Sequence, residues 1–327
     1  MKSRTARAAV IGAATVAAVA GLVVAPTAFG TEGTRVTATQ PADDGARVVS
    51  ETWLADRTLE LQIQSPAVGG TVPTRVLLPA SWSQNTTRTY PVLYMLHGAG
   101  DDYTSWTRET GIEEFAAERE MIVVMPDAGR TGIVADWRRG GDYVGFQTDE
   151  LMQLLQRNYH ANSTRAVAGI STGGYSAMAL AMHRPGTFGA AASYSGILNT
   201  TFPGMPMVVE QIVSREGINA NDLWGSWLFN WGTWSANNPA SNARRLRGTE
   251  LYVSTGTGLI GGVGMWLEET MESILFPATE TFTLGLRIQG VSVETNLVWG
   301  GAHLWSDWEA EFQESWPMFA EALGLPE

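Results

Sequence analysis

The segment GISTGG, residues 169–174, combines a serine with closely spaced glycines in a way that favours nucleophilic chemistry. It follows the apolar run RAVA and precedes GYSAMALAMHRP, a helical stretch that stops at Pro185. A Gly-x-Ser-x-Gly pattern between a strand and a helix forms a strained turn, which projects the serine hydroxyl above the sheet edge. We therefore predict that Ser171 is a nucleophile, against the alternative of an incidental Gly/Ser turn.

Such a serine needs a base, and histidine is the side chain whose pKa suits that role at neutral pH. Of the four histidines, His160 and His183 flank the nucleophile segment and fit surface or capping positions. His97 closes the apolar run PVLYML upstream of the serine. Only His303 follows a late strand, VSVETNLVWGG, and so fits the chain order of serine, acid and histidine. His303 is the predicted base.

The histidine in turn needs a carboxylate to fix its tautomer and to stabilise its charged form. No acid directly follows the strand-like run ELYVSTGTG, where such a group usually stands. The next carboxylates are Glu268, Glu269 and Glu272, and the residues by themselves leave the choice among the three open.

Acyl chemistry at a serine also needs two backbone N–H groups aimed at the developing oxyanion. Thr172, directly after the nucleophile, is expected to supply one, and Ala99 in the loop HGAGDD is expected to supply the other. The alternative for that loop is a simple glycine turn. The sequence contains no phosphate-binding loop and no pair of ligands at metal spacing, so we predict no cofactor and no metal.

Continuous apolar runs alternate with amphipathic stretches along most of the chain, which predicts an α/β sandwich around a mostly parallel sheet. Before them, residues 57–65 and 74–79 predict a pair of antiparallel entry strands. The segment 197–247, rich in Gly, Asn and Trp, is interpreted as an irregular excursion over the carboxyl edge of the sheet. The expected parallel strands are 91–98, 121–126, 165–171, 189–196 and 249–258, and the helices are 111–120, 148–159 and 174–185.

Residues 1–30 begin with basic residues, continue with an apolar run from Ala8 to Val24 and end in small residues at Gly30. This order is typical of a cleaved secretory signal peptide, and the alternative is a membrane anchor. Residues 31–50 lack periodicity and are expected to form a disordered leader. Residues 51–327 are expected to form one catalytic domain, with two small domains as the alternative. We predict a secreted protein, extracellular or in the cell envelope.

The chain carries 21 basic and 33 acidic residues, and removing Lys2, Arg4 and Arg7 with the leader would make it more acidic still. Nucleic acid and anionic lipid are poor partners for such a surface. The chain has no cysteine and therefore no disulfide partner. Thirteen tryptophans, most of them from Trp224 onward, add flat aromatic faces of the kind that carbohydrate and lipid sites use.

Longer segments resemble the putative-esterase branch of the α/β-hydrolase fold, namely YPVLYMLHG and GISTGGYSAMALAMHRPGTFGAAASYSG. Within it, the chain is similar to the mycolyltransferases of the antigen 85 type, from about residue 57 to the carboxyl end. The narrower similarity lies in DDYTSW, ADW, NDLWGSW, NNPASNARRLRGTELYVSTGTG and ESWPMFAEALGL. It implies an α/β-hydrolase sandwich and an enzyme that moves a mycolic acyl chain from one trehalose ester to another trehalose or to cell-wall arabinan, through an acyl-serine.

The resemblance also selects the acid. The family has a glutamate ten residues before a helical phenylalanine and about thirty before the histidine, and Glu272 stands ten residues before Phe282. The roles that the resemblance implies are therefore Ser171 as nucleophile, Glu272 as acid, His303 as base, and Ala99 with Thr172 as oxyanion donors.

The sugar contacts of the family are only partly matched. His97 stands where the family has an aspartate, and the loop after it is about two residues shorter and lacks the family's arginine. Trp308 is expected to wedge the histidine loop against the last helix. The side chains predicted to contact substrate are Trp305, Asp102, Trp106 and His97.

The resemblance implies an acylated sugar or lipid as substrate and a sugar or glycan as acceptor, both handled by a monomer. A secreted carboxylesterase that uses the same triad with water as acceptor is the first rival interpretation. A catalytically silent envelope-binding relative is the second, and such relatives usually lose the triad that this chain retains.

Overall fold

Nine strands form one sheet in the part of the chain that the computed structural model describes, which is residues 37–258 and 266–326. The strands are β1 (Arg47–Ala55), β2 (Thr58–Ser65), β3 (Gly70–Leu77), β4 (Tyr90–Leu96), β5 (Ile122–Pro126), β6 (Ala161–Ile170), β7 (Ala190–Tyr194), β8 (Glu250–Gly256) and β9 (Glu294–Val298).

The sheet is antiparallel at one side and parallel over the rest. Its spatial order is β1-β2-β3-β5-β4-β6-β7-β8-β9. β1, β2 and β3 pair antiparallel, and β3 also pairs antiparallel with β5. Every pair from β5 across to β9 is parallel. The predicted entry pair and the mostly parallel sheet are confirmed.

The central strands are apolar throughout because both faces of the sheet are covered. In β4, Val92 and Tyr94 belong to the core on one face, whereas Leu93 and Met95 belong to the core on the other. Successive side chains of a strand point to opposite faces, so a strand buried on both sides needs an apolar residue at every position.

The helices are α1 (Ser105–Glu109), α2 (Ile112–Ala117), α3 (Tyr143–Gly145), α4 (Leu151–Asn158), α5 (Thr172–His183), α6 (Met205–Arg215), α7 (Trp231–Ala236), α8 (Trp266–Ile288), α9 (Trp305–Glu314) and α10 (Trp316–Leu323). They cover the two faces of the sheet, and the three predicted from sequence are present as α2, α4 and α5. The segment 197–247 follows β7 and holds α6 and α7 between turns and short 3₁₀ stretches. Among the described residues, no helix combines the length and the hydropathy that crossing a bilayer requires.

The prediction of a disordered leader over 31–50 is wrong from Thr37 onward. Ala38, Ala42 and Ala46 are buried in the core, and β1 already begins at Arg47. The fully buried Glu51 carboxylate accepts hydrogen bonds from the N–H groups of Thr37 and Ala38, at 2.9 and 2.8 Å. Three alanines carry too little hydropathy to reveal this packing in the sequence. The predicted signal peptide and residues 31–36 lie outside the described residues.

A second buried carboxyl, that of Glu150, lies where this N-terminal segment meets the sheet. It accepts hydrogen bonds from the Ser65 hydroxyl and from the Ala67 N–H, the latter at 2.7 Å. Burial raises the pKa of Glu150 to about 7, and the neighbouring Asp44 carboxyl adds to the rise. Because this pKa lies above the ordinary glutamate value, the folded protein retains a proton that the unfolded chain releases at lower pH.

We expect the contribution of Glu150 to the unfolding free energy to fall as pH rises from about 5 to about 8, because Glu150 loses its proton later in the folded state than in the unfolded state. Glu150→Gln keeps a neutral group there and removes this share of the pH dependence. Urea unfolding across the same pH range measures it, with exposed Glu118→Gln as the matched control. An equally steep pH dependence in wild type and Glu150→Gln would contradict the assignment.

Candidate active site

Ser171 stands on a one-residue turn between the end of β6 and the first residue of α5. Its φ of 52° and ψ of −122° lie in a backbone region that residues other than glycine rarely adopt. A Cβ at Gly169 would lie 2.2 Å from the carbonyl oxygen of Gly173, and a Cβ at Gly173 would lie 2.4 Å from that of His97. Only glycine allows these approaches, which explains why the pattern needs glycine at both positions.

The structure brings Ser171, His303 and Glu272 into one chain of hydrogen bonds. His303 Nε2 lies 3.0 Å from Ser171 Oγ, and His303 Nδ1 lies 2.7 Å from Glu272 Oε1. The side chain of Glu272 is 0% exposed and that of His303 is 14% exposed. A carboxylate accepts, so Nδ1 carries the proton and Nε2 is free to accept the serine proton.

The second carboxylate oxygen of Glu272 is held at the carboxyl end of β8. Glu272 Oε2 accepts hydrogen bonds from the Thr255 hydroxyl at 2.8 Å and from the Gly256 N–H at 2.6 Å. The other two candidates for the acid, Glu268 and Glu269, have side chains outside the described residues. Glu272 is thus the glutamate that the described structure places against the histidine.

His303 is backed by two tryptophans of α9. The rings of His303 and Trp308 meet edge to face, with centroids 4.8 Å apart, and the Trp308 indole N–H donates to the Ser195 hydroxyl at 3.1 Å. Trp305 packs edge to face on Trp308 at 5.4 Å. The loop that carries the histidine is further held by a hydrogen bond from Ala302 N–H to the Asp307 carboxylate at 2.7 Å.

Two backbone segments with free N–H groups meet at the serine. Thr172 is the first residue of α5, where an N–H has no acceptor within the helix. The loop after β4 passes beside Ser171, because a Cβ at Gly98 would lie 3.3 Å from Ser171 Cβ. The next residue, Ala99, donates no backbone hydrogen bond to any acceptor in the described ranges. These are the two positions predicted to hold an oxyanion.

A cavity of about 650 Å³ opens onto Ser171 and His303. A hollow of this size with mainly apolar walls suits the apolar part of a small-molecule or lipid substrate. Three polar side chains, those of Asp101, Gln211 and Arg215, also reach it. The apolar side chains of its wall are Ile170, Met207, Val208, Ile212, Met271, Leu304, Trp305 and Trp308.

Only some of the residues predicted to contact substrate line the cavity. Trp305 lines the cavity, and its contact with substrate stays a prediction. Trp308, which was expected only to wedge the loop, lines the cavity as well. Trp106 is 1% exposed, donates its indole N–H to the Leu96 carbonyl at 3.2 Å and supports Trp305 from behind, so its assignment to substrate is wrong.

His97 is also wrong as a substrate contact, because its side chain is 1% exposed. Its Nε2 accepts the Ala128 N–H at 3.0 Å, and its Nδ1 lies 2.9 Å from the Gly98 carbonyl oxygen. Both ring nitrogens therefore form hydrogen bonds with the backbone, one in the loop after β5 and one in the loop after β4.

Asp102 is not among the described residues that line the cavity, whereas its neighbour Asp101 is. The Asp102 carboxylate accepts the N–H and the hydroxyl of Thr104, at 2.8 and 2.6 Å. Burial raises the pKa of Asp102, but these hydrogen bonds and the charge of Arg108 outweigh it and leave the pKa below its ordinary value. The carboxylate thus shapes its own turn.

Sequence reasoning missed the wall that α6 contributes. The residues of this helix that line the cavity are spaced by one, three, one and three positions, which is one face of an α-helix. That periodicity was present in MPMVVEQIVSR but was obscured by the irregular composition around it. The wall residues are Met207, Val208, Gln211, Ile212 and Arg215.

Comparison with solved structures identifies the class of fold as the α/β hydrolases. The crystal structure of MPT51 (FbpC1) from Mycobacterium tuberculosis superposes with a TM-score of 0.69 at 21% identity, covering 82% of this chain and all of that one. FphF, a fluorophosphonate-binding serine hydrolase of Staphylococcus aureus, superposes with a TM-score of 0.65 at 19% identity, covering 80% of this chain and 98% of that one.

Sequence comparison narrows the class to a family. The family model described as "Putative esterase" matches residues 65–319, and the chain belongs to that family. Esterase Rv1288 of Mycobacterium tuberculosis is 29% identical over 272 residues, which are 79% of this chain and 58% of that esterase. The diacylglycerol acyltransferase/mycolyltransferase Ag85A of the same organism is 27% identical over 285 residues, 81% of each chain. The resemblance to the antigen 85 type is confirmed.

Gly173→Ala is expected to destabilise the protein by about 3 kcal/mol, because its methyl group would displace the backbone after β4. Thermal unfolding measures the change. Gly285→Ala in α8 is the matched control, since a Cβ there meets no atom within 4 Å. The control is expected to stabilise by roughly 0.5 to 1 kcal/mol through helix propensity. Equal unfolding temperatures for the two variants would contradict the steric account of the turn.

Proposed function

We propose that this chain is a secreted serine acyltransferase that moves a long-chain, mycolic-type acyl group between sugar esters, such as trehalose mycolates, and glycan acceptors of the envelope. The observation that carries the proposal is the hydrogen-bonded chain of Ser171, His303 and Glu272 at the mouth of a large apolar cavity. All three side chains come from one polypeptide, so a monomer suffices.

The first half-reaction forms an acyl-serine. Ser171 Oγ attacks the ester carbonyl carbon while His303 Nε2 takes the hydroxyl proton, and Glu272 stabilises the imidazolium that results. The negative carbonyl oxygen of the tetrahedral intermediate is held by the N–H groups of Thr172 and Ala99. When the intermediate collapses, the sugar oxygen leaves with the proton that His303 returns.

The second half-reaction reverses these steps with a new hydroxyl. His303 takes the proton of the acceptor, whose oxygen attacks the acyl carbonyl carbon, and Ser171 leaves with the proton. The chemistry is the same for a sugar and for water. Which acceptor is used therefore depends on how the site holds the sugar and how far it admits water.

The acyl group fits the apolar wall formed by α6, Met271 and the tryptophans of α9. The diacylglycerol acyltransferase/mycolyltransferase Ag85A, which aligns over 81% of both chains, supports acyl transfer as the reaction. Location outside the cell is part of the proposal and draws on the basic and apolar order of residues 1–30.

A carboxylesterase is the second candidate, and one observation favours it. The positions where the antigen 85 resemblance places sugar contacts are used here for packing, since His97 is buried and hydrogen-bonded on both ring nitrogens. A site without those contacts holds a sugar acceptor less firmly, and water then competes better.

Incubating the purified protein with an acylated trehalose, with and without free sugar acceptor, separates the candidates. We expect acyl transfer to the sugar. We expect Ser171→Ala to lower the rate of this transfer by at least about 10⁴-fold, because the nucleophile is lost. Exposed Ser273→Ala on α8 is the matched control. Chromatographic separation of the products gives the readout. Free fatty acid alone, unaffected by acceptor, would exclude the transferase, and no turnover at all would favour a binding protein.

Glu272→Gln is expected to lower kcat by about 10³ to 10⁴-fold with little change in KM, because a neutral amide no longer favours the proton on His303 Nδ1 or stabilises the imidazolium. Steady-state kinetics with a chromogenic long-chain ester measures the change. Exposed Glu280→Gln on the same helix should behave as wild type. Near-normal activity of Glu272→Gln would move the role to Glu268 or Glu269.

A further inference from the structure

A small internal cavity, separate from the cavity at Ser171, has Thr172 in its wall. The space open to the centre of a water molecule is about 10 Å³. It shares no lining residue with the 650 Å³ cavity. Its walls come from the first turn of α5, from α6 and from the loops on either side of them, namely Ile133, Thr172, Tyr175, Ile197, Thr200, Val209 and Trp224.

Three polar atoms of this wall have no hydrogen-bond partner within the described ranges. They are the hydroxyls of Thr172 and Thr200 and the indole N–H of Trp224, and each residue is at most 1% exposed. The fourth polar side chain is satisfied, since the Tyr175 hydroxyl donates to the Asn237 carbonyl at 2.9 Å. Buried polar groups are nearly always hydrogen-bonded, so three such atoms around one cavity indicate a ligand.

We propose that this cavity is the binding site of a single ordered water molecule. A volume near 10 Å³ holds one water, and buried waters typically make about three hydrogen bonds. The water would accept the Trp224 indole N–H and donate to the hydroxyls of Thr172 and Thr200, which uses all three atoms. The indole donor disfavours a cation, and the apolar remainder of the wall disfavours an anion.

The bound water makes Thr200 and Trp224 positioning residues for the oxyanion donor, an assignment that rests on the proposed function. It connects the side chain of Thr172, whose N–H faces the reacting carbonyl, to the loop after β7 and to Trp224. On another side the Thr172 hydroxyl is confined by Gly132, where a Cβ would lie 2.7 Å from it. Thr172 is therefore fixed between backbone and water, and its N–H keeps one direction.

A crystal structure of the wild-type protein at about 1.5 Å resolution tests the site. We expect density for one water within about 2.7 to 3.2 Å of the two hydroxyls and the indole nitrogen. Density for the surrounding side chains without a water peak would overturn the proposal. This arm needs no substrate, so it remains decisive even if the wild-type protein turns over no ester, a result that would overturn the proposed function instead.

Thr200→Val tests the coupling to catalysis, because it removes one partner of the water at nearly constant volume. We expect kcat for a long-chain ester to fall about 10-fold with KM nearly unchanged, because the misdirected N–H acts on the transition state. Binding of an alkyl boronic acid, which mimics the tetrahedral intermediate, should weaken by the same factor. Trp224→Phe, which removes only the donor, should act in the same direction.

Thr74→Val is the matched control, since Thr74 also has a buried hydroxyl without a partner in the described structure but lies on β3 and lines neither cavity. It should retain the wild-type kcat. Loss of activity in all three variants together with lower unfolding temperatures, or a wild-type kcat in folded Thr200→Val and Trp224→Phe, would overturn the positioning role.

Discussion

The site depends on the close backbone contact where α5 begins against the end of β6. The carbonyl oxygen of Gly173 occupies the space that a side chain at Gly169 would need, so the chain must reverse within the single residue Ser171. The cost is a positive φ at that serine, and the burial of α5 between strands and loops offsets it. The serine hydroxyl thereby becomes a fixed point, and His303 and the loop after β4 approach it from separate elements.

Much of the fold and the reacting centre could be predicted because the signals are local. Strands buried on both faces are continuous apolar runs, and the turn at Ser171 requires glycines at fixed offsets. Chain order selected His303 from four histidines. Glu272 was harder to predict, because the residues alone did not distinguish it from Glu268 and Glu269. Only the family resemblance ranked it first. The described structure then places it 2.7 Å from the histidine.

The contacts with substrate were predicted less well, because exposure depends on how elements stack. Trp106 and His97 have the chemistry of ligand contacts, but neighbouring elements bury both. Val208 and Ile212 look like ordinary core residues, yet α6 leaves them beside an open cavity. The burial of Ala38 was missed for a related reason, since a small side chain contributes little to any hydropathy pattern.

The helix α6, which forms one wall of the cavity, lies in the segment 197–247, and this segment connects β7 to β8 along the chain. Ser171, Glu272 and His303 lie outside that segment. Exchanges at the positions of α6 that line the cavity would reshape the space for the acyl chain and leave these three side chains in place. Related hydrolases that differ in α6 would therefore accept acyl groups of different shape and keep the same reaction at the serine.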